Sequence, residues 1–273
     1  MTKRAQMDLF LREEWDNLIV LDACRYDLFE ELHPEYFSGE LMISLSAGSS
    51  TPEWANKSFG DGWYPDIDYV SANPHINSLV KVDGFHGRDH FSKVVDVWDH
   101  GWNGKVGTVL PSTVRKSALE HREDSPDKRM IVHFMQPHGP YLDLISSAEG
   151  KNPFTMLRIL LADMAVWILG KETLRKLEGF PILSDFADQV EVMGDPLWMK
   201  GIARKYGEDF LHNLYENNLR RAIEEVVKLL RELPGRTVIT SDHGERLGEN
   251  GEYGHEPYQE NPILREVPWL VVD

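Results

Sequence analysis

Seven short apolar runs separated by helical patterns constrain this chain more than any other feature. They are NLIVLD (17–22), LMISLS (41–46), DYVSA (68–72), KVVDVW (93–98), MIVHFM (130–135), TVITSD (237–242) and VPWLVV (267–272). Runs such as NLIVLD and TVITSD are apolar almost throughout rather than alternating, which is the pattern of a central strand covered on both faces. Helices between such strands imply an α/β fold, a doubly wound and mostly parallel sheet flanked by helices. The stretch from Glu208 to Leu233 supplies one of them. Its Leu211, Leu214, Leu219, Ala222, Val226, Leu229, Leu230 and Leu233 fall close to one stripe, and Pro234-Gly235 stops it. At 273 residues the chain suits a single domain, 1–273, with an insertion.

Segment 142–207 breaks the alternation. It is helical in pattern and rich in Met and Trp. It reads either as an insertion or lid over the strand ends, or as extra helices packed on the core.

Ligands of open α/β sheets bind beyond the carboxyl ends of the strands, and that rule selects residues here. Asp22 ends the first run; Ser49, Ser50 and Thr51 follow the second. His133 and His138 lie in and after MIVHFM, Asp242 ends TVITSD, His243 follows, and His255 sits in a Gly-rich loop. A strand-end aspartate is commonly a cap, and a lone histidine is commonly a packed side chain. Their convergence on one edge points instead to chemistry. Aspartate oxygens and histidine nitrogens suit Zn²⁺ or Mn²⁺, which polarise a phosphoryl group and activate a nucleophile. Pro52 favours the first helical position, so Thr51 is expected at the N-cap, where free N–H groups hold an anionic oxygen. A threonine hydroxyl needs activation before it attacks.

The formal charge of −16 argues against a nucleic-acid partner, which requires clustered Lys and Arg. An anionic substrate would need a strong local positive charge, which a divalent cation supplies. The one cysteine, Cys24, excludes an intrachain disulfide and suits a reducing compartment. The N-terminal residues lack a signal-peptide core, and the most apolar stretch, Phe154 to Leu169, is interrupted by Arg158 and Asp163. The expectation is a cytoplasmic protein without a transmembrane segment.

Four stretches, VLDACRYD (20–27), GSSTPEW (48–54), HFMQPHGPY (133–141) and SDHGERLGENGEYGH (241–255), resemble in order the motifs of the alkaline phosphatase superfamily. The resemblance is nearest to its sulfatase-like branch, especially phosphoethanolamine and phosphoglycerol transferases. It implies an alkaline-phosphatase-like α/β/α sandwich. It also implies that Asp22, Asp242 and His243 hold the main metal with Thr51, the nucleophile. His138 and His255 match histidines that bind the substrate phosphate or a second metal, with catalytic duties in handling anionic oxygens or protons. His133 belongs to the same motif as His138 and is expected, with Arg25, at the substrate. For Arg25 and Asp27, buried pairing is an equal alternative.

The implied activity is metal-dependent hydrolysis or transfer of phosphoric esters through a phospho-Thr51 intermediate. One or two ions are implied, Zn²⁺ or Mn²⁺ foremost and Ca²⁺ or Mg²⁺ otherwise. The implied substrate is a small-molecule, glycan or lipid-head-group phosphoester. Three departures stand beside it. The membrane helices of the transferases and their disulfides are absent here. The nucleophile-x-Pro-x-Arg pattern of sulfatases, which would make Ser50 the nucleophile, lacks its arginine. Sulfatase activity, a phosphosugar mutase-like isomerase and an inactive binding module of the same fold are the alternatives.

Overall fold

The computed structural model describes residues 3–147 and 197–272, and an eight-stranded sheet lies at their centre. Its strands are β1 (Arg4–Ala5), β2 (Asn17–Leu21), β3 (Gly39–Leu45), β4 (Tyr64–Ser71) and β5 (Phe91–Asp96), then, beyond a small pair, β6 (Trp102–Asn103) with β7 (Thr108–Val109), β8 (Arg129–Phe134) and β9 (Thr237–Thr240). A second small pair, β10 (Arg246–Leu247) with β11 (Tyr253–Gly254), precedes the last strand, β12 (Glu266–Val272). The order across the sheet is β1-β3-β12-β9-β2-β8-β4-β5. Only β12 runs against its neighbours, β3 and β9; the other adjacent pairs are parallel. All seven runs expected from the sequence lie in this sheet, which is mostly parallel as expected.

The described helices are α1 (Gln6–Arg12), α2 (Tyr26–Leu32), α3 (Thr51–Phe59), α4 (Val97–His100), α5 (Pro111–Asp124), α6 (Leu142–Ser147), α7 (Leu197–Tyr206), α8 (Glu208–Leu230) and α9 (Pro262–Arg265). Successive strand residues point to opposite faces, and both faces are covered. Ile19, Leu21, Val132, Phe134 and Ile239 join Ala118 of α5 and Leu219, Ala222 and Val226 of α8 in one core. Leu18, Val20, Ile131 and Val238 join Phe10 of α1 and Trp54 and Phe59 of α3 in another. This is why β2 has no polar alternation: each of its five residues is buried. Each buried Leu, Ile or Val contributes about 1.5–3 kcal/mol.

The α8 stripe divides between two jobs. A helix of 23 residues is about 35 Å long, twice the length of β2 at about 17 Å. Since α8 leads antiparallel into β9, its N-terminal half extends past the carboxyl ends of the strands. There Leu211, Leu214 and Tyr215 pack with Tyr141, Met199, Leu247 and Tyr253 in a third cluster. Of segment 142–207, residues 148–196 lie outside the described residues. Its described ends, α6 and α7, contribute Leu144, Trp198, Met199 and Ile202 to that third cluster. Among the described residues no helix is long and apolar enough to cross a membrane.

Candidate active site

Four adjacent strands, β9, β2, β8 and β4, deliver Asp242, Asp22, His133 and Asn73 at or near their carboxyl ends. Thr51 arrives from β3, on the far side of β12. The loop that carries it is fastened on the way: Ser46 N donates to Arg265 O at 2.8 Å, and Ser46 Oγ donates to Asp242 O. Gly48 is required in this loop because a Cβ there would lie 2.4 Å from Trp54 N. Gly244 is required for the same reason, with Ile263 O at 2.0 Å from the added carbon.

A first group forms around Thr51. Its Oγ1 donates to Asp242 Oδ2 at 2.6 Å and lies 3.4 Å from His243 Nε2. His243 Nε2 is in turn 3.7 Å from Asp22 Oδ1 and 3.4 Å from Asp242 Oδ2. The expected set of Asp22, Thr51, Asp242 and His243 is therefore assembled in one place. His133 Nε2 joins it, 3.9 Å from both Asp22 Oδ2 and Asp242 Oδ2. The structure adds Asn73, whose Nδ2 donates to Asp22 Oδ2 at 2.6 Å and to Thr51 Oγ1 at 3.2 Å. Asn73 follows the DYVSA run, so the strand-end rule applied to every run would have found it. All these side chains are buried.

The backbone around them is set by two turns. Ala23 adopts a left-handed φ of 58°, and its N–H donates to Asp242 Oδ1 at 3.0 Å, beside the His243 N–H at 2.9 Å. Ser241 Oγ donates to Leu21 O and accepts from Cys24 N, tying β9 to the turn after β2. The N-cap of α3 is Ser50, not Thr51 as expected from the sequence. Ser50 is extended, at φ −154° and ψ 155°, and its carbonyl accepts the first helical bond from Trp54 N. Thr51 is the first helical residue and Pro52 the second, so the Thr51 hydroxyl is turned from capping toward Asp242. Ser50 Oγ is buried without a hydrogen-bond partner. Ser49 is fully engaged, with its N–H and Oγ on Glu53 Oε2 and its Oγ also on Glu256 O.

A second group lies beside the first and is less buried. His138, Glu245 and His255 bring potential ligand atoms within 4.8 Å of one another. His255 Nδ1 donates to Glu245 Oε1 at 3.0 Å, and His138 Nδ1 donates to Gly139 O at 2.7 Å. The His255 ring is 4.2 Å from that of His243, which joins the two groups into one site. Glu245 was not singled out in the sequence, although it lies inside the SDHGE motif. Arg25 stands apart. Its guanidinium donates to Asp27, Glu249 and Glu245 O, so it braces the turn after β2 against the His255 loop.

Burial dominates the electrostatics. It pushes Asp22 well above the ordinary carboxyl range, helped by Asp242 beside it. Burial acts on Asp242 too, but His243 and His133 outweigh it and hold Asp242 below its ordinary value. Burial pushes His133 down to about 4 and lowers His243, His138 and His255 as well. For His255 this is tempered, since 21% of its side chain remains exposed. Each imidazole is then neutral near pH 7 and keeps one lone pair.

The donor set fits a divalent cation. Asp22 Oδ1 and His133 Nε2 are buried with no hydrogen-bond partner, and native structures rarely leave such atoms unsatisfied. Two carboxylates, two neutral imidazoles and a hydroxyl around one space match what Zn²⁺ or Mn²⁺ binds.

Fold and site together define a class: a helix-covered, mostly parallel sheet carrying a carboxylate-imidazole-hydroxyl centre at its carboxyl edge. No family model and no curated protein matches the chain. Among solved structures, the C-terminal periplasmic domain of EcEptC from Escherichia coli, in complex with Zn, is similar at TM-score 0.50 and 12% identity, over 94% of this chain and 71% of that one. The soluble domain of lipooligosaccharide phosphoethanolamine transferase A from Neisseria meningitidis gives TM-score 0.49 at 15% identity, over 94% of this chain and 75% of that one. The C-terminal periplasmic domain of phosphoethanolamine transferase EptC from Campylobacter jejuni gives 0.49 at 15%, over 93% and 77%. At these identities the likeness is one of fold. The fold is alkaline-phosphatase-like, as the four motifs implied.

Proposed function

We propose that this chain is a metal-dependent enzyme that transfers or hydrolyses phosphoric esters through a covalent intermediate on Thr51. The observation that carries the proposal is the Thr51 hydroxyl, 2.6 Å from Asp242 Oδ2, at the edge of a cluster whose Asp22 Oδ1 and His133 Nε2 lack partners. Asp22, Asp242, His243 and Thr51 would hold the cation, Zn²⁺ or Mn²⁺ foremost. When bound, it supplies the positive charge that lowers the hydroxyl pKa and offsets the charge of the phosphoryl oxygens.

The chain's own groups then divide the remaining work. Asp242 Oδ2 holds Oγ1 in place. The Thr51 proton passes to solvent as Oγ1 forms its bond to phosphorus, and the ester oxygen departs, taking a proton from solvent. Asn73 Nδ2 orients Oγ1 during that attack. The nitrogens of His138 and His255 that already donate are both Nδ1, which leaves the Nε2 lone pairs. Those lone pairs suit accepting a proton from the water or alcohol that later breaks the Thr51–phosphorus ester, or holding a second cation. The proposed substrates are small-molecule, glycan or lipid-head-group phosphoesters.

The test is a screen of phosphomonoesters, phosphodiesters and sulfate esters with the metal-free chain, supplied in turn with Zn²⁺, Mn²⁺, Mg²⁺ or Ca²⁺. Turnover of a phosphoester that chelator abolishes and metal restores is the expected result. Turnover confined to sulfate esters, or none in any combination, would overturn the proposal.

A further inference from the structure

We infer that His133, inside strand β8, is an additional side-chain donor to the cation of the first group, and that Tyr69 of β4 positions it. The inference rests on the metal-dependent reading above and deepens it at one residue.

A histidine in the interior of a buried strand is an unusual choice. Alternation sends Met130, Val132 and Phe134 into one core and Ile131 to the other face, and His133 shares that second face. It is completely buried, with the Trp54 ring 6.0 Å and the Tyr69 ring 6.1 Å away, centroid to centroid. Its apolar walls favour an apolar side chain, so the imidazole is there for its nitrogens. Nδ1 is 2.8 Å from Tyr69 Oη. Nε2 has no hydrogen-bond partner and faces Asp22 Oδ2 and Asp242 Oδ2 at 3.9 Å each, beyond hydrogen-bond range. A packed histidine of ordinary kind would satisfy both ring nitrogens. This one satisfies a single nitrogen and turns the other toward two carboxylates, one of which, Asp22, also has an unpartnered oxygen.

Tyr69 completes the arrangement. An imidazole that gives its Nε2 lone pair to a cation must carry its proton on Nδ1 and needs an acceptor there. The tyrosine hydroxyl both donates and accepts, so it serves either tautomer by rotating. A phenylalanine would fill the same space and lack the acceptor.

The experiment titrates Zn²⁺, and separately Mn²⁺, into the metal-free full chain by calorimetry. His138→Ala with His255→Ala is the parent, so that only the first group remains. In that background His133→Gln is expected to weaken binding roughly 100-fold and Tyr69→Phe roughly 10-fold, the range found when groups around metal ligands are removed. Metal-free melting temperatures should stay close to that of the parent. With Co²⁺ as probe, the visible absorption bands should shift in both variants. Should His133→Gln fail to fold, Tyr69→Phe carries the test alone, since it deletes one oxygen. If the parent binds the metals and both variants bind as tightly with unshifted Co²⁺ bands, His133 is a packed side chain and the inference is overturned while the proposed function stands. A weakened His133→Gln beside an unchanged Tyr69→Phe overturns the role of Tyr69. A parent that binds no metal overturns the proposed function and this inference with it.

Discussion

Thr51 and Glu53 sit two residues apart and illustrate how one short loop serves both chemistry and stability. Glu53 is buried and accepts from Ser49 N, Ser49 Oγ and Tyr258 N, with Lys57 Nζ on its other oxygen. Burial works to raise its pKa, but Lys57 and the N–H groups of Ser49 and Tyr258 prevail and hold it down to about 2. The folded value lies below the ordinary 4.5, so the unfolded chain binds more protons between these values. The stabilisation is therefore present above about pH 4.5 and is lost as pH falls toward about 2. Glu53→Gln should flatten the acid limb of the stability curve, measured as urea midpoints across that window; an unchanged acid limb would contradict the assignment. At this scale the sequence was informative for some residues only. Asp22, Asp242 and His243 were legible because charged groups at or directly after the ends of apolar runs stand out. Thr51, five residues past its run, was legible only through the resemblance of the GSST stretch. Tyr69 was not, since an aromatic in an apolar strand looks like core, and nothing in its neighbourhood marks the hydroxyl as needed. The N-cap shift from Thr51 to Ser50 was equally hidden, because Pro52 is compatible with the first or second helical position.

Helix α8 helps the sheet to hold the His138 loop of the second group, where His138 N also donates to Asp22 O, after β2, at 3.1 Å. Asn218, buried in α8, accepts from Leu142 N at 3.0 Å and donates toward Pro137 O, His138 O and Pro140 O at 3.2–3.3 Å. One side chain thus ties down the loop that carries His138. Asn218→Ala is expected to lower turnover roughly 10- to 100-fold by misplacing that imidazole, with metal affinity of the first group unchanged. Equal losses in metal affinity and turnover would show that the loop acts on the whole site instead. The helical stripe of α8 was plain in the sequence, and so was its burial. Its overhang beyond the strands was not, because periodicity gives a face and no partner: Leu211 and Leu219 read alike, yet one packs beside the site loops and the other on the sheet.

At the scale of the whole molecule, −16 formal charges and two buried carboxylates in one site make the cation-free state electrostatically uncomfortable. A ligand that binds only the folded chain stabilises it by about 2.7 kcal/mol at 100-fold excess over its Kd. Divalent cation should accordingly raise the melting temperature, chelator should lower it, and Asp242→Asn should abolish the response; a rise that survives Asp242→Asn would place the cation elsewhere on this acidic surface. The central strands β2, β8 and β9 were legible because strands buried on both faces are largely apolar, whereas β3 and β5, partly exposed, were legible only as short β-type runs. The antiparallel direction of β12 was not legible, since VPWLVV has the same apolar character as the parallel strands of the sheet. The central claim is a covalent intermediate on Thr51, and one measurement meets it most directly. The metal-loaded chain is incubated with a phosphoester that it turns over, quenched in acid, and mapped by tandem mass spectrometry, beside Thr51→Ala and Ser50→Ala. The account predicts a phosphoryl group on Thr51 in the unmodified chain and in Ser50→Ala, and none in Thr51→Ala, whose turnover falls by orders of magnitude. A phosphoryl group on Ser50, or full turnover by Thr51→Ala, would contradict it.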